Sequence, residues 1–379
     1  MPKLLIWAPF RGNVGTIESV KNYAKIFSEL GYEVVFIELC DEWSDLNQIS
    51  DSYKIRSLTS SVIFKNIGKT NFFHRRDFFI FQFIKVWKLS RLLKEENPDL
   101  MISFLGIVPA IIANYFQLIP HWGSIQGFPR FLNNRAQKNL YYKFEDWLRK
   151  VLWLLNYRKL DKVLCMTPKT SVTLRNFLEK ETFFVPNPLF SEGDNLNIKF
   201  DKTKSFDFIF IGRNSYQKRI DIILINFFYA LDFRPDSRLH FFGNVEASEL
   251  ISEFPDYKDL ILNNCLFYGF NENAWTLIKE KLNPIHLVAS EWEDPGHAIL
   301  EGLWNKVPTV FLNKGGNYID LYESYGVVIK KALEFDKETF NEMIDSASNE
   351  QLRSNLKKEL ASQFTISKVK SKLNQLLDV

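Results

Sequence analysis

Apolar runs and helix-periodic stretches alternate from the first residues of the chain. The run from Leu4 to Ala8 predicts a strand, the periodic stretch from Thr16 to Leu30 predicts a helix that Gly31 ends, and Glu33 to Glu38 predicts a second strand. Strands that alternate with helices in this way are typical of βαβ units. The opening of the chain therefore favours a parallel sheet covered by helices.

The alternation continues through the first half of the chain. Further strands are predicted at Asp99 to Phe104, His121 to Ile125, Lys162 to Cys165 and Thr182 to Val185, with helices at Phe78 to Glu96, Pro109 to Phe116, Gln137 to Asn156 and Thr167 to Glu179. The stretch from Pro186 to Ser205 then combines prolines, Gly193 and mixed polar and charged residues, which is typical of a linker.

A second alternation follows this linker. Strands are predicted at Phe206 to Ile211, Arg238 to Phe242, Leu266 to Tyr268, Ile285 to Ala289 and Thr309 to Leu312, with helices beginning near Lys218, Ala247, Ala274, Gly296 and Asn317. A chain of 379 residues is long enough for about two domains. We therefore predict an α/β protein with two doubly wound, Rossmann-like domains, over residues 1–188 and 205–365, that face each other across a ligand-binding cleft.

Cysteine usage and the amino terminus bear on the compartment. Cys40, Cys165 and Cys265 are dispersed and odd in number, which argues for a reducing compartment without a disulfide framework or zinc spacing. The start of the chain lacks the pattern of a signal peptide and predicts a strand, so we expect a cytoplasmic protein. Leu100 to Pro129 carries no charge and is long enough to cross a bilayer, but its internal prolines and polar residues favour a strand, a helix and a strand.

The net charge of +3 hides an uneven distribution along the chain. Between Ser52 and Lys180 there are 22 Lys and Arg against 8 Asp and Glu, a balance of +14, and this part is also rich in aromatic residues. Such a surface suits anionic lipid headgroups or an anionic acceptor, and solvated helix faces over an aromatic core explain it equally well. Nucleic acid is a weaker third option because no recognition module is visible.

The stretch from Leu287 to Leu303 predicts a ligand site, because an apolar strand runs into a turn and then a helix. In a parallel sheet, ligands bind at the carboxyl ends of the strands, where the following helix presents free N–H groups to anions. Glu293 and Glu301 lie about 12 Å apart along the axis if the whole span is helical. Two carboxylates at that spacing suit two parts of one long polar ligand, such as a sugar and a ribose.

Two cations follow an earlier strand of the same half. Gly212-Arg213 comes directly after the predicted strand, and Lys218 stands at the predicted start of a helix. A guanidinium can contact phosphate oxygens with two parallel hydrogen bonds and an ammonium acts as a point charge, so the pair could neutralise a departing diphosphate without a metal. Taken alone, such cations are more often surface charges.

Several short motifs together resemble one family over nearly the whole chain. The matching motifs are Gly12-Asn-Val-Gly15, Val185-Pro-Asn-Pro188, Gly212-Arg213 with Lys218, Phe242-Gly243-Asn244, Tyr268-Gly269-Phe270, Ser290 to Glu301, and Gly315-Gly316. In this order they resemble the retaining glycosyltransferases of family 4, which have the GT-B fold and include enzymes of bacterial surface-polysaccharide synthesis. The two glutamates separated by seven residues are the most specific of these motifs.

The resemblance implies a role for each matching position. Arg213 and Lys218 would hold the donor's diphosphate, Glu293 would contact the transferred sugar near the reacting carbon, and Glu301 would hold the ribose. Further donor-binding positions would line the base pocket or let the backbone approach the phosphates; they are Asn244, Phe270 and Asn271 for the base, and Gly12, Gly15, Gly212, Gly296 and His297 for the phosphate side. The final helix, residues 366–379, would pack back onto the first domain.

The chain departs from the family pattern at two places. Asp294-Pro295-Gly296 replaces Gly-Phe-Gly after the first glutamate, so Pro295 offers no N–H to a ligand. The next residue, His297, either donates to the diphosphate or has no chemical role. On the acceptor side the family often has a histidine where this chain has Gln126, which can donate to a sugar hydroxyl but cannot take a proton; His121 lies five residues earlier, at the predicted strand start.

Together these expectations describe an enzyme that transfers a sugar. The resemblance implies that the chain moves a sugar from a UDP- or GDP-type donor to a glycan or lipid-linked acceptor with retained anomeric configuration and without a metal. It would act in bacterial cell-surface polysaccharide synthesis, peripherally on the inner face of the cell membrane, with no nucleic acid partner. The alternatives are another GT-B enzyme, either a phosphorylase or a nucleotide-sugar epimerase, and a non-catalytic sugar-nucleotide-binding protein.

Overall fold

The structure is a computed structural model that describes residues 1–9, 16–39, 42–58, 75–104, 107–129, 132, 140–192, 196, 198–271, 273–312, 319–324 and 337–378. It divides into two compact units. One comprises Met1–Leu189 together with Ile366–Val379, and the other comprises Phe190–Thr365. Each unit is built on one parallel sheet, so the predicted pair of doubly wound α/β domains is confirmed.

The first unit contains a seven-stranded parallel sheet of order β3-β2-β1-β4-β5-β6-β7. Its strands are β1 Lys3–Trp7, β2 Glu33–Glu38, β3 Lys54–Ser57, β4 Leu100–Ser103, β5 His121–Ile125, β6 Lys162–Cys165 and β7 Thr182–Phe184. The helices are Thr16–Glu29, Asn47–Ser50, Arg75–Glu96, Ile107–Asn114, Leu140–Tyr157, Pro168–Leu178 and Ile366–Leu377. Strand β1 is central, and Leu4 to Trp7 are fully buried because helices cover both faces of the sheet.

Strand β3 was missed by the sequence analysis. It pairs with β2, where Lys54 lies opposite Val35, and it forms one edge of the sheet. Its residues are exposed or half-buried, and two of its four side chains are charged. An edge strand of this kind has no apolar run, and charged edge residues protect it from pairing with other chains.

The final helix, Ile366–Leu377, belongs to the first unit. Val369 and Leu373 are fully buried in the core that also contains β1 and the helix Thr16–Glu29. Lys370 Nζ lies 2.8 Å from Glu29 Oε2, and the Lys162 ammonium donates to the carbonyl of Leu376 at the helix end. The chain thus leaves the first unit after Leu189 and returns to it at Ile366.

The second unit contains a five-stranded parallel sheet of order β10-β9-β8-β11-β12. The strands are β8 Asp207–Ile211, β9 Arg238–Phe242, β10 Cys265–Phe267, β11 Pro284–Val288 and β12 Thr309–Phe311. The helices are Ile220–Leu231, Ala247–Glu253, Lys258–Asn264, Ala274–Lys281, His297–Trp304, Ile319–Ser324, Lys337–Ser348 and Glu350–Phe364, with single 3₁₀ turns at Tyr216–Lys218 and Pro255–Tyr257.

The predicted linker from Pro186 to Ser205 is wrong in its second part. From Phe190 onward this stretch belongs to the second unit. Ile198 is buried in that unit's core and its N–H donates to the carbonyl of Asn305, while the ring of Phe190 stacks on Trp304 with 4.3 Å between centroids. The few apolar side chains in an otherwise polar stretch are sufficient to anchor it.

The charge-free segment from Leu100 to Pro129 forms β4, the helix Ile107–Asn114 and β5. The predicted strand, helix and strand are therefore confirmed, and the apolar character of the segment reflects burial inside the sheet. Within the described ranges, no helix combines the length and the apolar character needed to span a bilayer.

The strand order of the second unit determines where a ligand can bind. From β8 the chain proceeds to β9 and β10 on one side, and then returns to place β11 and β12 on the other side. Strands β8 and β11 are neighbours, and the loops that follow them lead to opposite sides of the sheet. A crevice between these two loops is therefore expected at the carboxyl ends of the strands. Arg213 and Lys218 lie in the first of these loops, and Glu293 lies in the second.

Candidate active site

Backbone and amide hydrogen bonds join the two loops at this switch point. The N–H of Glu291 donates to the carbonyl of Gln217 at 2.8 Å. Gln217 Nε2 donates in turn to the carbonyl of Trp292, also at 2.8 Å. The loop after β8 and the loop after β11 thus run alongside each other as one assembly.

Lys218 and Glu293 meet at the centre of this assembly. Lys218 Nζ lies 2.5 Å from Glu293 Oε1, and the two side chains are only 18% and 8% exposed. Lys218 is not at the start of a helix as predicted, because it ends a 3₁₀ turn that precedes the helix Ile220–Leu231. The structure therefore brings together two residues that are 75 positions apart in the sequence.

Gly296 lies directly before the helix His297–Trp304 and leaves room there for the Glu293 side chain. Its φ is 91°, and a Cβ there would lie 3.0 Å from Ile299 Cδ1 and 3.1 Å from Glu293 Oε2. Only glycine combines this backbone conformation with so little space. Since the helix begins at His297, the span from Glu293 to Glu301 is not wholly helical, and the predicted axial separation of the two carboxylates does not apply.

Pro295, at the middle position of the Asp294-Pro295-Gly296 departure from the family pattern, has a structural partner. Its carbonyl accepts a hydrogen bond at 3.1 Å from the hydroxyl of Tyr322, which is fully buried. This bond ties the loop after β11 to the helix Ile319–Ser324. His297 is half-buried as the first residue of its helix, and its contact with a diphosphate stays a prediction.

Arg219 and Glu291 form a second ion pair beside the first, and the sequence analysis missed it. Arg219 Nη1 lies 2.5 Å from Glu291 Oε1, and Glu291 is buried. Arg219 also contacts both carboxylate oxygens of Asp221, through Nε at 2.9 Å and Nη2 at 2.6 Å. The hydrogen bonds that Arg219 donates to the Asp221 carboxylate are the main cause that raises the pKa of Arg219. The signal in the sequence is the pair of adjacent cations and the Glu-Trp-Glu run that faces them.

Glu301 has different surroundings, on the helix that follows. Trp275 Nε1 donates to Glu301 Oε2 at 2.8 Å. Burial raises the pKa of the Glu301 carboxyl above its ordinary value, while the bond from Trp275 acts in the opposite direction. A Cβ on the next residue, Gly302, would lie 2.9 Å from His286 Nδ1, so this helix packs closely on β11. Burial lowers the pKa of His286 to about 3, which keeps its ring neutral.

Two glycines allow the strand exits of β8 and β9 to touch. Gly243 has a φ of 120°, and a Cβ there would lie 1.9 Å from the carbonyl oxygen of Gly212. The N–H of Gly212 donates to Phe242 O at 2.8 Å, and that of Gly243 donates to Gly269 O at 2.7 Å. These bonds join the exits of three neighbouring strands and explain why the motifs place a glycine at each.

The predicted base-pocket residues lie along the same edge of the sheet. Asn244 follows β9 and is exposed, with its carbonyl accepting from the N–H of Asn214 at 2.9 Å. Phe270 and Asn271 follow β10; the ring of Phe270 is half exposed, and Asn271 Oδ1 accepts from the N–H of Asn273. Their contact with a base stays a prediction.

In the first unit, Gln126 lies at the exit of β5 and forms a reciprocal amide pair. Asn187 Nδ2 donates to Gln126 Oε1 at 3.0 Å, and Gln126 Nε2 lies 3.3 Å from Asn187 Oδ1 and 2.8 Å from Ser124 Oγ. His121 is the first residue of β5, as predicted, and it is buried with its Nε2 2.7 Å from Ser103 Oγ. Burial lowers the pKa of His121 to about 3, so it is a neutral interior residue.

Two of the predicted motifs lie outside the described residues. Gly12 and Gly15 fall between residues 9 and 16, and Gly315-Gly316 falls between residues 312 and 319. Arg213 is described and exposed, in the same loop as Lys218.

Comparison with known proteins agrees with this architecture. Residues 194–363 match the model of the family Glycosyl transferases group 1, and no curated protein sequence matches the chain. Among solved structures, sucrose-phosphate synthase from Thermosynechococcus elongatus is 14% identical with a TM-score of 0.73, over 100% of this chain and 98% of that one. HepE of Anabaena with UDP is 14% identical with a TM-score of 0.70, over 99% of both chains. TarM of S. aureus is 12% identical with a TM-score of 0.66, over 100% of both.

At these sequence identities, the structural similarity establishes the fold of the chain but not the reaction that it catalyses. Two units, each with one parallel sheet, match these proteins over their whole length. The second unit in addition matches the group 1 model over most of its residues. The chain therefore has the GT-B fold, and its second unit has the sequence pattern of glycosyl transferases group 1.

Proposed function

We propose that this chain is a retaining glycosyltransferase of family 4 that moves a sugar from a nucleotide diphosphate donor to a glycan or lipid-linked acceptor. The observation that carries the proposal is the Lys218–Glu293 pair at the switch point of the second sheet. A cation and a carboxylate held together at the carboxyl ends of parallel strands match the two ends of the donor, its diphosphate and its sugar hydroxyls.

The comparisons support the choice of donor. The HepE structures contain UDP and UDP-glucose, and a TarM structure contains UDP and alpha-GlcNAc-glycerol. Both proteins share the fold of this chain. We extend to this chain a donor of the UDP or GDP type and a saccharide acceptor, in bacterial cell-surface polysaccharide synthesis.

The chemistry assigns different tasks to the cations and the carboxylates. Breaking the anomeric bond builds positive character on the sugar ring and negative charge on the leaving diphosphate. Arg213 and Lys218 stabilise that negative charge. Lys218 is fixed in a partly buried site, where a positive group acts more strongly than a mobile group in water. The donor's phosphate oxygens compete with Glu293 for the Lys218 ammonium, which leaves the carboxylate to accept from a sugar hydroxyl. Glu301 accepts from the ribose.

A contact with the membrane surface is the remaining part of the proposal. Phe116 and Leu118 are 82% and 84% exposed in the turn after the helix Ile107–Asn114. In the same turn Tyr115 is exposed, and Lys159 Nζ lies 4.6 Å from the centre of its ring. Exposed aromatic residues with an ammonium beside them suit the boundary between acyl chains and anionic headgroups.

The proposed function is tested by nucleotide binding and by turnover. Thermal shifts with UDP, GDP, ADP and CMP identify the donor's nucleotide, because a ligand at about 100 times its Kd stabilises the folded state by about 2.7 kcal/mol. Transfer of a labelled sugar from the matching donor then reports activity. A protein that binds a nucleotide diphosphate but neither transfers nor hydrolyses any such donor would be the non-catalytic alternative.

A further inference from the structure

Two ion pairs lie side by side in the loops that follow β8 and β11. Lys218 pairs with Glu293 and the next residue, Arg219, pairs with Glu291, both at 2.5 Å. The preceding residue, Gln217, exchanges two hydrogen bonds with the facing loop, one with the N–H of Glu291 and one with the carbonyl of Trp292. Three consecutive residues of one loop thus contact three consecutive residues of the other.

The backbone conformation at Arg219 indicates that the contacts of its side chain are structurally important. Its φ is 50° and its ψ is 54°, the left-handed conformation that favours glycine. A long side chain persists in that conformation where its surroundings hold it there. Here the guanidinium contacts Asp221 with two of its nitrogens and Glu291 with the third.

The charges around Arg219 separate its role from that of Lys218. Asp221 and Glu291 together supply two carboxylates to one guanidinium, so the charge of Arg219 is balanced by groups of the protein itself. Lys218 pairs with the carboxylate of Glu293, and a Cβ added at Gly212 would lie 3.4 Å from Lys218 Cε. Of the two neighbouring cations, Lys218 is the one suited to exchange its partner for a phosphate.

We infer that Arg219 and Glu291 are a positioning pair, which fixes the separation of the two loops so that Lys218 and Glu293 meet in register. The inference rests on the proposed function, since the register matters for the donor that these two residues would contact. Neither Arg219 nor Glu291 touches the donor. Their effect on the reaction passes through the placement of Lys218 and Glu293, where a displacement of about 1 Å can cost about a hundredfold in rate.

The main test is the double variant Arg219→Gly/Glu291→Gln. It removes both charges of the pair together, so the buried Glu291 does not remain as a charge without its partner. Asp221 loses its contact with Arg219 but is 35% exposed to solvent, and glycine suits the left-handed backbone. We expect a melting temperature near that of the unchanged protein, donor kcat lowered about 10- to 100-fold, and donor KM changed less than about threefold. A lowered melting temperature with kcat retained would mean that the pair serves stability alone and would overturn the inference.

Lys306→Gly is the matched control. Lys306 also has a left-handed backbone, with φ of 61°, in the same unit. Its carbonyl accepts from Arg353 and its N–H donates to Leu303, and glycine keeps both of these backbone groups. We expect unchanged kcat and KM for Lys306→Gly. An equal loss in this control would assign the effect to backbone flexibility and overturn the inference.

A background without the Lys218 ammonium tests whether the pair acts through it. In Lys218→Met, adding Arg219→Gly/Glu291→Gln should lower kcat by less than about threefold, because the group to be positioned is gone. A further drop as large as in the protein with Lys218 would show an independent action and count against positioning.

A readout without turnover separates this inference from the proposed function. The coupling between Lys218→Met and Glu293→Gln in urea unfolding measures how well those two residues meet. We expect the coupling to disappear in the Arg219→Gly/Glu291→Gln background. Coupling that persists unchanged there overturns the inference, whereas absence of sugar transfer in the unaltered protein with the coupling result as expected refutes only the proposed function.

Discussion

The strand exits of the two sheets differ in charge although the two units share one architecture. At the exit of β5 in the first unit, Gln126 and Asn187 pair through neutral amides. At the exits of β8 and β11 in the second unit, Lys218 and Glu293 form an ion pair. The fold supplies the same edge in both cases, and the side chains give it its chemistry: neutral amides suit hydroxyl groups, and charged groups suit a diphosphate.

The largest effect should come from removing the cations of the second unit. In the proposed function the charges of Arg213 and Lys218 matter most as negative charge grows on the leaving group. We therefore expect Arg213→Ala and Lys218→Ala each to lower kcat by about 10² to 10³, with donor binding weakened less. Lys202→Ala is the control, since this exposed lysine pairs with Asp345 at the surface of the same unit. Equal losses in all three variants would show that the charge at the strand exits has no special role.

The two carboxylates of the second unit should separate by kinetic parameter. In the proposed function Glu293 lies beside the reacting sugar, so Glu293→Ala should chiefly lower kcat. Glu301 has a proposed ribose contact in both ground and transition states, so Glu301→Ala should chiefly raise donor KM. Steady-state kinetics, with folding checked by circular dichroism, measures both. Glu293→Ala with unchanged rates would mean that the active site is assigned wrongly.

A smaller effect, on the acceptor, is expected from the neutral amide pair at the exit of β5. Gln126→Ala removes the neutral hydrogen bond that we propose to an acceptor hydroxyl, worth about 1 kcal/mol, so acceptor KM should rise about fivefold while donor KM is unchanged. Kinetics with each substrate varied in turn measures the two constants. A rise in donor KM instead would remove the distinction between the two exits.

The first unit should also differ from the second in its affinity for membranes. Each basic residue near an anionic surface contributes about 1 kcal/mol, so vesicles with anionic lipid should bind the protein reversibly, and raised salt should release it. Phe116→Ser/Leu118→Ser should weaken flotation with such vesicles. The control is Tyr229→Ser, at a half-exposed aromatic residue of the second unit. Equal binding to neutral and anionic vesicles would contradict this prediction.

The smallest effect is expected from a chelator. In the proposed function Arg213 and Lys218 carry the positive charge that a metal would otherwise supply, so donor turnover should persist in EDTA. Activity lost in EDTA and restored by manganese or magnesium would show that these two cations are insufficient.

The sequence predicted the architecture well because the apolar periodicity is strong in buried strands. His121 to Ile125 and Arg238 to Phe242 have the bounds that the pattern indicated. Strand β3 was missed because its edge position tolerates charges, and the start of the second unit was misplaced because only a few apolar residues anchor Phe190 to Ser205. Periodicity reports burial, and these two segments are weakly buried or irregular.

The site was predicted only as far as its motifs extend. Lys218 and Glu293 were named from the resemblance, but their direct contact depends on which strands are neighbours, which the sequence does not state. The Arg219–Glu291 pair was missed for a similar reason, since it links residues 72 positions apart and requires a left-handed backbone at an arginine. Long-range pairs of this kind become visible only with the fold.

The placement of the final helix has a consequence for how the protein is made. The core of the first unit includes Val369 and Leu373, which leave the ribosome after all of the second unit. At a synthesis rate of about 5 to 20 residues per second, the second unit takes roughly 10 to 35 s to synthesise, and the first unit lacks its last helix during that time. During that interval the groove under Ile366–Leu377 is an uncovered apolar surface on a nascent chain, the kind of surface that chaperones bind. We therefore expect the amino-terminal part of the chain, made alone, to require the separate helix as a peptide for its solubility.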